Sequence, residues 1–224
     1  MVLAVVVCIK LGLWQQHKAE AKQQLQTQFD LRLQQPPVAL PNKIDDLEAW
    51  RYRHVQLRGR YEPRYQILLD NQVDGEIAGY HVITPLLLAD GSHVLVNRGW
   101  VAALADHSVL PPVNTPEGEQ EVVGYVWLPP SKVFTLQHLA PDQGWQPVWQ
   151  ILDIKRYAAL VPFGVQPLVV RLDPSSNASG FARNWPRPAE RIEMHIGYAY
   201  QWYGFALAFL LIYLVVNFRK SNGS

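Results

Sequence analysis

Sulfur is scarce in this chain. Its 224 residues include one cysteine, Cys8, and two methionines. A single cysteine excludes an intramolecular disulfide, a Cys-x-x-Cys redox pair and a thiolate metal cage. The shortage of soft sulfur ligands also argues against a copper-delivery chaperone, because thiolates and thioethers select Cu(I).

The chain also lacks an excess of charge and any familiar catalytic motif. Its formal net charge is +1 and it has no dense tract of Lys or Arg. Nucleic acid is therefore not an expected partner, because phosphate binding needs a basic footprint. The sequence contains no Gly-x-Ser-x-Gly elbow, phosphate loop, dinucleotide fingerprint or His-Glu-x-x-His. We therefore expect a protein that is not an enzyme.

One long apolar segment is present near the end of the chain. Ile196–Val216 carries a single strongly polar side chain, Gln201. A helix of that length covers about 31 Å, close to the hydrocarbon core of a bilayer. Aromatic residues crowd its first turns, which places the His195 end at a membrane surface. We predict a transmembrane helix over residues 195–217, followed by a tail over 218–224.

A second apolar run lies at the start of the chain. Val2–Leu13 contains one lysine and passes directly into strong helix formers. It is too short to span a bilayer, and resembles either a truncated membrane helix or the apolar part of a signal peptide. No small-residue cleavage site follows, so we favour a first transmembrane helix over 1–14, truncated at its N-terminus. A helical extension and linker should occupy 15–40, with the helix ending near Gln34 before two prolines.

Residues 41–190 carry short β-patterns separated by turns. Asp90-Gly91 lies between two apolar runs and supplies the positive φ angles of a tight hairpin. We also predict a loop bracketed by Gly75 and Gly79. Strands are predicted at 54–59, 65–69, 80–88, 93–97, 122–127 and 168–172, and short helices at 45–50 and 153–160.

This pattern predicts a membrane-anchored α+β fold. Two transmembrane helices should flank a mainly antiparallel β domain, built as a small barrel or a sandwich.

Successive motifs along the chain resemble those of the surfeit locus protein one family. They are Gly12-Leu-Trp-Gln15, Val55-x-Leu-x-Gly59, Gly79-Tyr-x-Val-x-Thr-Pro-Leu86, Val96-Asn-Arg-Gly-Trp-Val101 and His195-x-x-Tyr-Ala-x-Gln-Trp-x-x-Phe-Ala206. The match spans nearly the whole chain, and its departures are the short first span and His17.

The resemblance implies an assembly factor for haem-copper cytochrome c oxidase. Bacterial members of the family are associated with binding haem a and passing it toward oxidase subunit I. The expected partners are therefore subunit I, other assembly factors and the lipid bilayer. The expected location is the cell inner membrane, as a multi-pass protein with its β domain in the periplasm and its tail in the cytoplasm.

The second predicted span offers a candidate haem site. His195, Tyr198, Trp202 and Ala206 share one helical stripe, and a neutral imidazole can ligate haem iron. His195 is thus the candidate metal ligand, with Tyr198 and Trp202 beside the macrocycle. The alternative is an interfacial histidine that is hydrogen-bonded to the β domain.

Two further residues are candidate haem contacts. Arg98 has the chemistry to pair with a propionate, or it is a structural arginine in a turn beside Gly99. Trp14, with Gln15, is placed to cover the haem from the first helix, or Trp14 belongs to an interfacial aromatic belt.

The interior of the span also carries predictions about helix packing. Gly204 and Ala208 form a small-x-x-x-small pair that would let the first helix approach. Gln201 should face protein and bond between the helices, because an unsatisfied amide in hydrocarbon is costly.

Other features are assigned less specific roles. The histidines outside the span lack metal-ligand spacing and are predicted to be structural or solvated: His54, His81, His93, His107 and His138. Asn177-Ala-Ser179 fits a glycosylation acceptor, which has no meaning in a bacterial protein.

A membrane-anchored scaffold that holds oxidase subunits together without binding haem is the alternative function.

Overall fold

The computed structural model describes residues 1–106, 108–130, 144–176, 181–188 and 191–221. The chain divides into two compact units. One is helical and combines Met1–Leu31 with Pro186–Ser224, and the other is the β unit, Arg32–Trp185.

The described residues form four α-helices and eight strands. The helices are α1 (Val2–Leu33), α2 (Leu47–Trp50), α3 (Ile154–Leu160) and α4 (Ile192–Ser221). The strands are β1 (Val38–Ala39), β2 (His54–Tyr61), β3 (Ile67–Asp74), β4 (Ile77–Leu88), β5 (His93–Ala102), β6 (Glu119–Trp127), β7 (Val148–Trp149) and β8 (Val165–Leu172).

The strands of the β unit close into a barrel. Their order in the sheet is β1-β2-β6-β8-β5-β4-β3-β7, and β2 pairs with β4 as well. The ring of pairings β2-β6-β8-β5-β4-β2 is therefore complete, and these five strands form a closed barrel.

The sheet is mixed and not mainly antiparallel. The β5–β8 pair is parallel, as are β1–β2 and β3–β7. A parallel neighbour requires a crossover connection and leaves no hairpin signal between adjacent segments. The barrel was one of the two architectures that the sequence predicts, whereas the strand directions were predicted only in part.

Apolar side chains from every strand of the ring fill the barrel. The interior cluster includes Val55, Leu57, Leu86, Val94, Val96, Val122, Val126, Leu168, Val170 and Leu172. Side chains between these positions face outward and form a second core under α3: Ile83, Leu95, Tyr157 and Val169 belong to it. β5 and β8 are thus buried on both faces, which explains their nearly continuous apolar sequences.

Local signals placed several elements correctly. The hairpin around Asp90-Gly91 joins β4 to β5, and Gly91 has a φ of 82°. Asp153 caps α3, its carboxylate accepting from the backbone N–H groups of Lys155 and Arg156. The loop predicted between Gly75 and Gly79 is confirmed only at its start, because Gly75 and Glu76 form a turn whereas β4 begins at Ile77 and includes Gly79.

In the helical unit, α1 and α4 run antiparallel. Asp30, near the end of α1, lies 3.8 Å from Arg187, which precedes α4, whereas Gly12 near the start of α1 meets Tyr203. The buried positions of α1 include Gly12, Ala19 and Gln26, and those of α4 are Ala199 and Ala206. These residues repeat every seven positions and form a narrow seam, and all of them except Gln26 are small, as in a helix pair with close backbones.

Among the described residues, only α4 is long and apolar enough to cross a membrane, over Ile192–Phe218. α1 is a single long helix that ends at Leu33, close to the predicted Gln34. Only its first third is mainly apolar, with Lys10 as the one charged residue there, and a polar stretch begins with Gln15. Of the two predicted transmembrane helices, the structure therefore supports only α4, because among the described residues no other helix is apolar over the required length.

Candidate functional site

His195 lies on the first turn of α4 and faces α1. Its Nδ1 lies 2.7 Å from Oε1 of Gln15, and both side chains are half-buried. An amide oxygen can only accept a hydrogen bond, so Nδ1 is the donor. The neutral imidazole consequently carries its lone pair on Nε2, the atom through which it can ligate a metal.

Trp202 lies two turns further along α4, on the same side as His195. It is half-buried, and its ring meets that of Phe205 edge-on at 5.8 Å between centroids. Ala206, the last member of the predicted stripe, is buried at the helix seam. Three of the four stripe residues thus share the side of α4 that is turned toward α1.

Tyr198 and Trp14 occupy more open positions. Tyr198 is 44% exposed at the edge of the stripe, and Trp14 on α1 is 53% exposed. The Lys18 ammonium lies 5.9 Å from the centre of the Trp14 ring. Exposed aromatic side chains are therefore present on both helices of this unit, close to the His195–Gln15 pair in sequence, and the one on α1 has a cation nearby.

Arg98 belongs to the other unit and is fully buried in β5. Its Nη1 donates to Gln66 Oε1 at 3.0 Å and to Thr115 Oγ1 at 2.9 Å. The guanidinium also lies 5.1 Å from the Tyr61 ring centre and 5.0 Å from that of Phe181. This arrangement favours the structural interpretation of Arg98 over contact with a propionate.

Burial controls the protonation of the groups around Arg98. It lowers the pKa of Arg98 to about 10, which still leaves the guanidinium charged at neutral pH. It also raises the pKa of the neighbouring Tyr61 to about 12, so that hydroxyl stays protonated. The cation is therefore held by neutral acceptors and ring faces.

Comparison with known proteins agrees with the motifs. The model of the SURF1 family matches residues 2–207. The chain belongs to the SURF1 family. Among its relatives, Surfeit locus protein 1 of Xenopus tropicalis is 25% identical over 98% of this chain and 75% of the relative. A SURF1-like protein of Rickettsia bellii is 22% identical over 100% of this chain and 91% of the relative. A SURF1-like protein of Drosophila melanogaster is 29% identical over 88% of this chain and 70% of the relative.

The SURF1-family match includes both helices of the candidate site. Residues 2–207 contain Trp14 and Gln15 as well as the stripe from His195 to Ala206. The Asn97-Arg98-Gly99-Trp100 motif falls in β5, where Gly99 has a φ of 130°. That left-handed backbone accounts for the glycine, because other residues rarely adopt it.

The histidines of the β unit take structural positions in this SURF1-family protein. His54 Nε2 lies 2.6 Å from the Asp173 carboxylate, and His93 stacks on Phe163 at 3.7 Å between ring centres. His81 meets Trp185 edge-on at 5.2 Å. Within the described part of the chain, no group of three or more His, Cys, Asp or Glu could hold a metal ion. His107, His138 and the acceptor Asn177-Ala-Ser179 lie outside the described residues.

Two predictions about the helix seam were wrong. No atom lies within 4 Å of a Cβ built on Gly204, and Ala208 is exposed, so neither forms the close contact. Gln201 is exposed as well and does not bridge the helices. Which face of a helix meets its neighbour depends on rotation about the axis, and apolar residues surround most of α4.

Sequence reasoning missed the contacts that hold the seam together, since it considered Gln15 only as a cover for haem beside Trp14 and did not consider Gln16. The polar bonds come from α1: Gln15 accepts from His195, and Gln16 Oε1 accepts from the Tyr203 hydroxyl at 3.0 Å. The position of Gln15 and Gln16 directly after the apolar run was the available signal, since amides there can reach a neighbouring helix.

A cavity lies on the Tyr203 side of the seam, away from His195. Its volume is about 330 Å³, and its walls are mainly apolar. It is lined by Gln16, Ala19, Glu20, Gln23, Ile192, Ile196, Ala199, Tyr200 and Tyr203. His195 and Trp202 do not contribute to this cavity, so their side of the helix pair is a separate surface.

Proposed function

We propose that this protein is an assembly factor for haem-copper cytochrome c oxidase, which binds haem a and aids its insertion into subunit I. Membership of the SURF1 family supports the assembly role. The observation that carries the haem-binding role is the His195–Gln15 bond, which leaves Nε2 of His195 as the ligating atom.

The residues of the helical unit fit the chemistry of haem a. His195 is a nitrogen ligand of the type that holds haem iron, and haem a supplies a redox-active iron with a long apolar tail. Tyr198 and Trp202 follow His195 along α4 and provide aromatic contact for a macrocycle. Lys18 on α1 and Arg191, just before α4, are exposed cations of this unit that would bind propionates.

The apolar exterior of α4 provides the path for the tail. Its later turns expose large apolar side chains, with Leu211 52% exposed and Ile212 53% exposed. Such a surface is compatible with lipid, so a tail leaving the Trp202 region can pass directly into the bilayer. The role of the chain is then to bind, orient and shield the group at the membrane surface until transfer.

The membrane arrangement is also part of the proposal. α4 crosses the inner membrane, and the apolar run Val2–Leu13 of α1 lies beside it as a first span. Two spans put both chain ends on the cytoplasmic side and the β unit in the periplasm. There the β unit would contact subunit I and other assembly factors.

The decisive experiment compares the wild type with His195→Ala after coexpression with the enzymes of haem a synthesis. The visible absorption spectrum and the pyridine hemochrome of the purified protein are recorded in detergent. We expect about one haem a per chain in the wild type and its loss in the variant. Haem retained in a folded His195→Ala protein would refute ligation by His195.

A scaffold without haem is the second candidate function. The β unit exposes apolar side chains at the β3–β4 turn, with Val73 66% and Ile77 59% exposed. Exposed apolar groups at the tip of this hairpin favour a protein partner. Copurification of oxidase subunits with a haem-free wild type, lost in a Val73→Lys, Ile77→Lys variant, would support this function.

A further inference from the structure

We propose that Gln15 is the positioning residue for His195, and that its neutral amide makes His195 a ligand suited to release. This inference rests on the proposed haem-binding function. Oε1 of Gln15 accepts from Nδ1 of His195 at 2.7 Å, across the seam between α1 and α4. The bond selects one tautomer and orients the ring.

The surrounding contacts hold the two residues in register. Gly12 lies one helical turn before Gln15 and receives the Tyr203 ring, whose hydroxyl donates to Gln16 at 3.0 Å. Because α1 and α4 are fixed to each other beside the bond, Gln15 does not need to be ordered by a ligand. The acceptor is thus in place before any haem arrives.

The identity of the acceptor sets the strength of the ligand. A carboxylate at this position would draw the Nδ1 proton away and increase the basicity of Nε2, as outer-shell carboxylates do in metal sites. A neutral amide orients the ring and gives less basicity. A carrier must surrender its cargo, and glutamine therefore suits a transfer site better than glutamate.

The first test needs no haem. Nitrogen-15-labelled histidine reports the tautomer of each imidazole by NMR, recorded on the full-length protein in detergent at alkaline pH, where histidine is neutral. His195→Gln identifies the signal of His195. We expect the Nδ1–H tautomer in the wild type and a loss of that preference in Gln15→Leu. An unchanged tautomer in Gln15→Leu overturns the inference.

The second test uses the haem-loaded protein. Dissociation of haem a is followed by its transfer to an excess of apomyoglobin, for wild type, Gln15→Leu and Gln15→Glu. We expect Gln15→Leu to lose affinity by roughly 10- to 100-fold, the usual effect of removing an outer-shell partner. Gln15→Glu should bind at least as tightly as the wild type, release more slowly and show a more negative reduction potential.

Gln16→Leu is the matched control, because it removes a bond across the same seam without touching His195. The packing of the Tyr203 ring on Gly12 remains in Gln16→Leu and still holds the two helices in register, so the haem spectrum and the release rate should equal those of the wild type. The inference would be overturned if Gln15→Leu and Gln16→Leu weakened haem binding equally and Gln15→Glu left the reduction potential unchanged. Gln15 would then be a packing residue only.

The two tests separate this inference from the proposed function. If the wild-type protein contained no haem but its His195 tautomer still changed in Gln15→Leu, the carrier function would be refuted. The positioning contact between Gln15 and His195 would still hold. A haem signal that depends on His195 and is unaffected by either Gln15 variant refutes the positioning role alone.

Discussion

The ring of Tyr203 lies against the backbone of Gly12. A Cβ atom built on Gly12 would lie 2.4 Å from Cε1 and 2.7 Å from Cδ1 of that ring. The Tyr203 hydroxyl is held by Gln16, so the ring has little freedom to retreat. Gly12 is therefore a position where α1 and α4 approach closely because no side chain intervenes.

Replacing Gly12 should weaken the helix pair. We expect Gly12→Leu to destabilise the helical unit by about 1–3 kcal/mol, because the added side chain displaces the Tyr203 ring and breaks its hydrogen bond to Gln16. Thermal unfolding of the purified protein in detergent, followed by circular dichroism, measures the change.

Gly204→Leu is the matched control on the other helix. No atom lies within 4 Å of the position that a Cβ on Gly204 would take, so the substitution should leave the unfolding temperature within error of the wild type. If Gly204→Leu were as harmful as Gly12→Leu, the seam described for α1 and α4 would be wrong.

Arg98 should act through the stability of the β unit. We expect Arg98→Met to lower the free energy of unfolding by roughly 2–4 kcal/mol, because the part-buried acceptors on Gln66, Thr115 and Asn114 lose their donor. Denaturant unfolding followed by tryptophan fluorescence gives the value.

Arg58→Met serves as the comparison for Arg98. The Arg58 side chain is 70% exposed and lies 3.9 Å from Glu121, so its loss should cost less than about 1 kcal/mol. Should Arg98→Met keep full stability but lose bound haem, the propionate role would replace the structural one.

His81 should make the β unit sensitive to acid. Burial, and then the charge of Arg171, lower the pKa of His81 from 6.5 to about 4. Between those values the unfolded chain binds a proton that the folded chain does not, so stability is present above pH 6.5 and falls toward pH 4. The loss is on the order of 3 kcal/mol at most.

His81→Phe tests this dependence. Phenylalanine keeps the edge contact with Trp185 and cannot be protonated. The difference in unfolding free energy between the variant and the wild type should therefore grow as the pH is lowered through this window. His17→Gln, at an exposed position of α1, is the control and should leave the pH dependence unchanged. Parallel pH profiles for His81→Phe and wild type would contradict the assignment.

Gly59 should tolerate no side chain. A Cβ there would lie 2.3 Å from the carbonyl oxygen of Leu87 in the neighbouring strand, so even Gly59→Ala must push β2 and β4 apart. We expect a loss of about 2 kcal/mol or more, and no folded protein for Gly59→Glu, which adds a buried charge.

Gly164→Ala provides the control for Gly59, because nothing lies within 4 Å of its added methyl group. Its unfolding midpoint in denaturant should match that of the wild type. A Gly59→Ala protein with an unchanged midpoint would show that the β2–β4 contact does not constrain this position.

Sequence alone determined the features that depend on neighbouring residues. The Asp90-Gly91 turn, the Asp153 cap of α3 and the end of α1 before two prolines were predicted because turns, caps and helix breaks are decided within a few residues. The apolar length of α4 and the ordered family motifs are likewise written in the chain itself.

Tertiary structure alone decided which distant residues meet. The parallel pairing of β5 with β8 joins segments with no local signal for each other. Arg98 is fully buried among residues distant in the sequence, such as Gln66, Thr115 and Phe181. The rotation of each helix about its axis decides which residues lie at the seam. It places Gly12 there and not Gly204, and it makes Gln15 the partner of His195. That rotation is set by the fit of whole surfaces, which no short stretch of sequence contains.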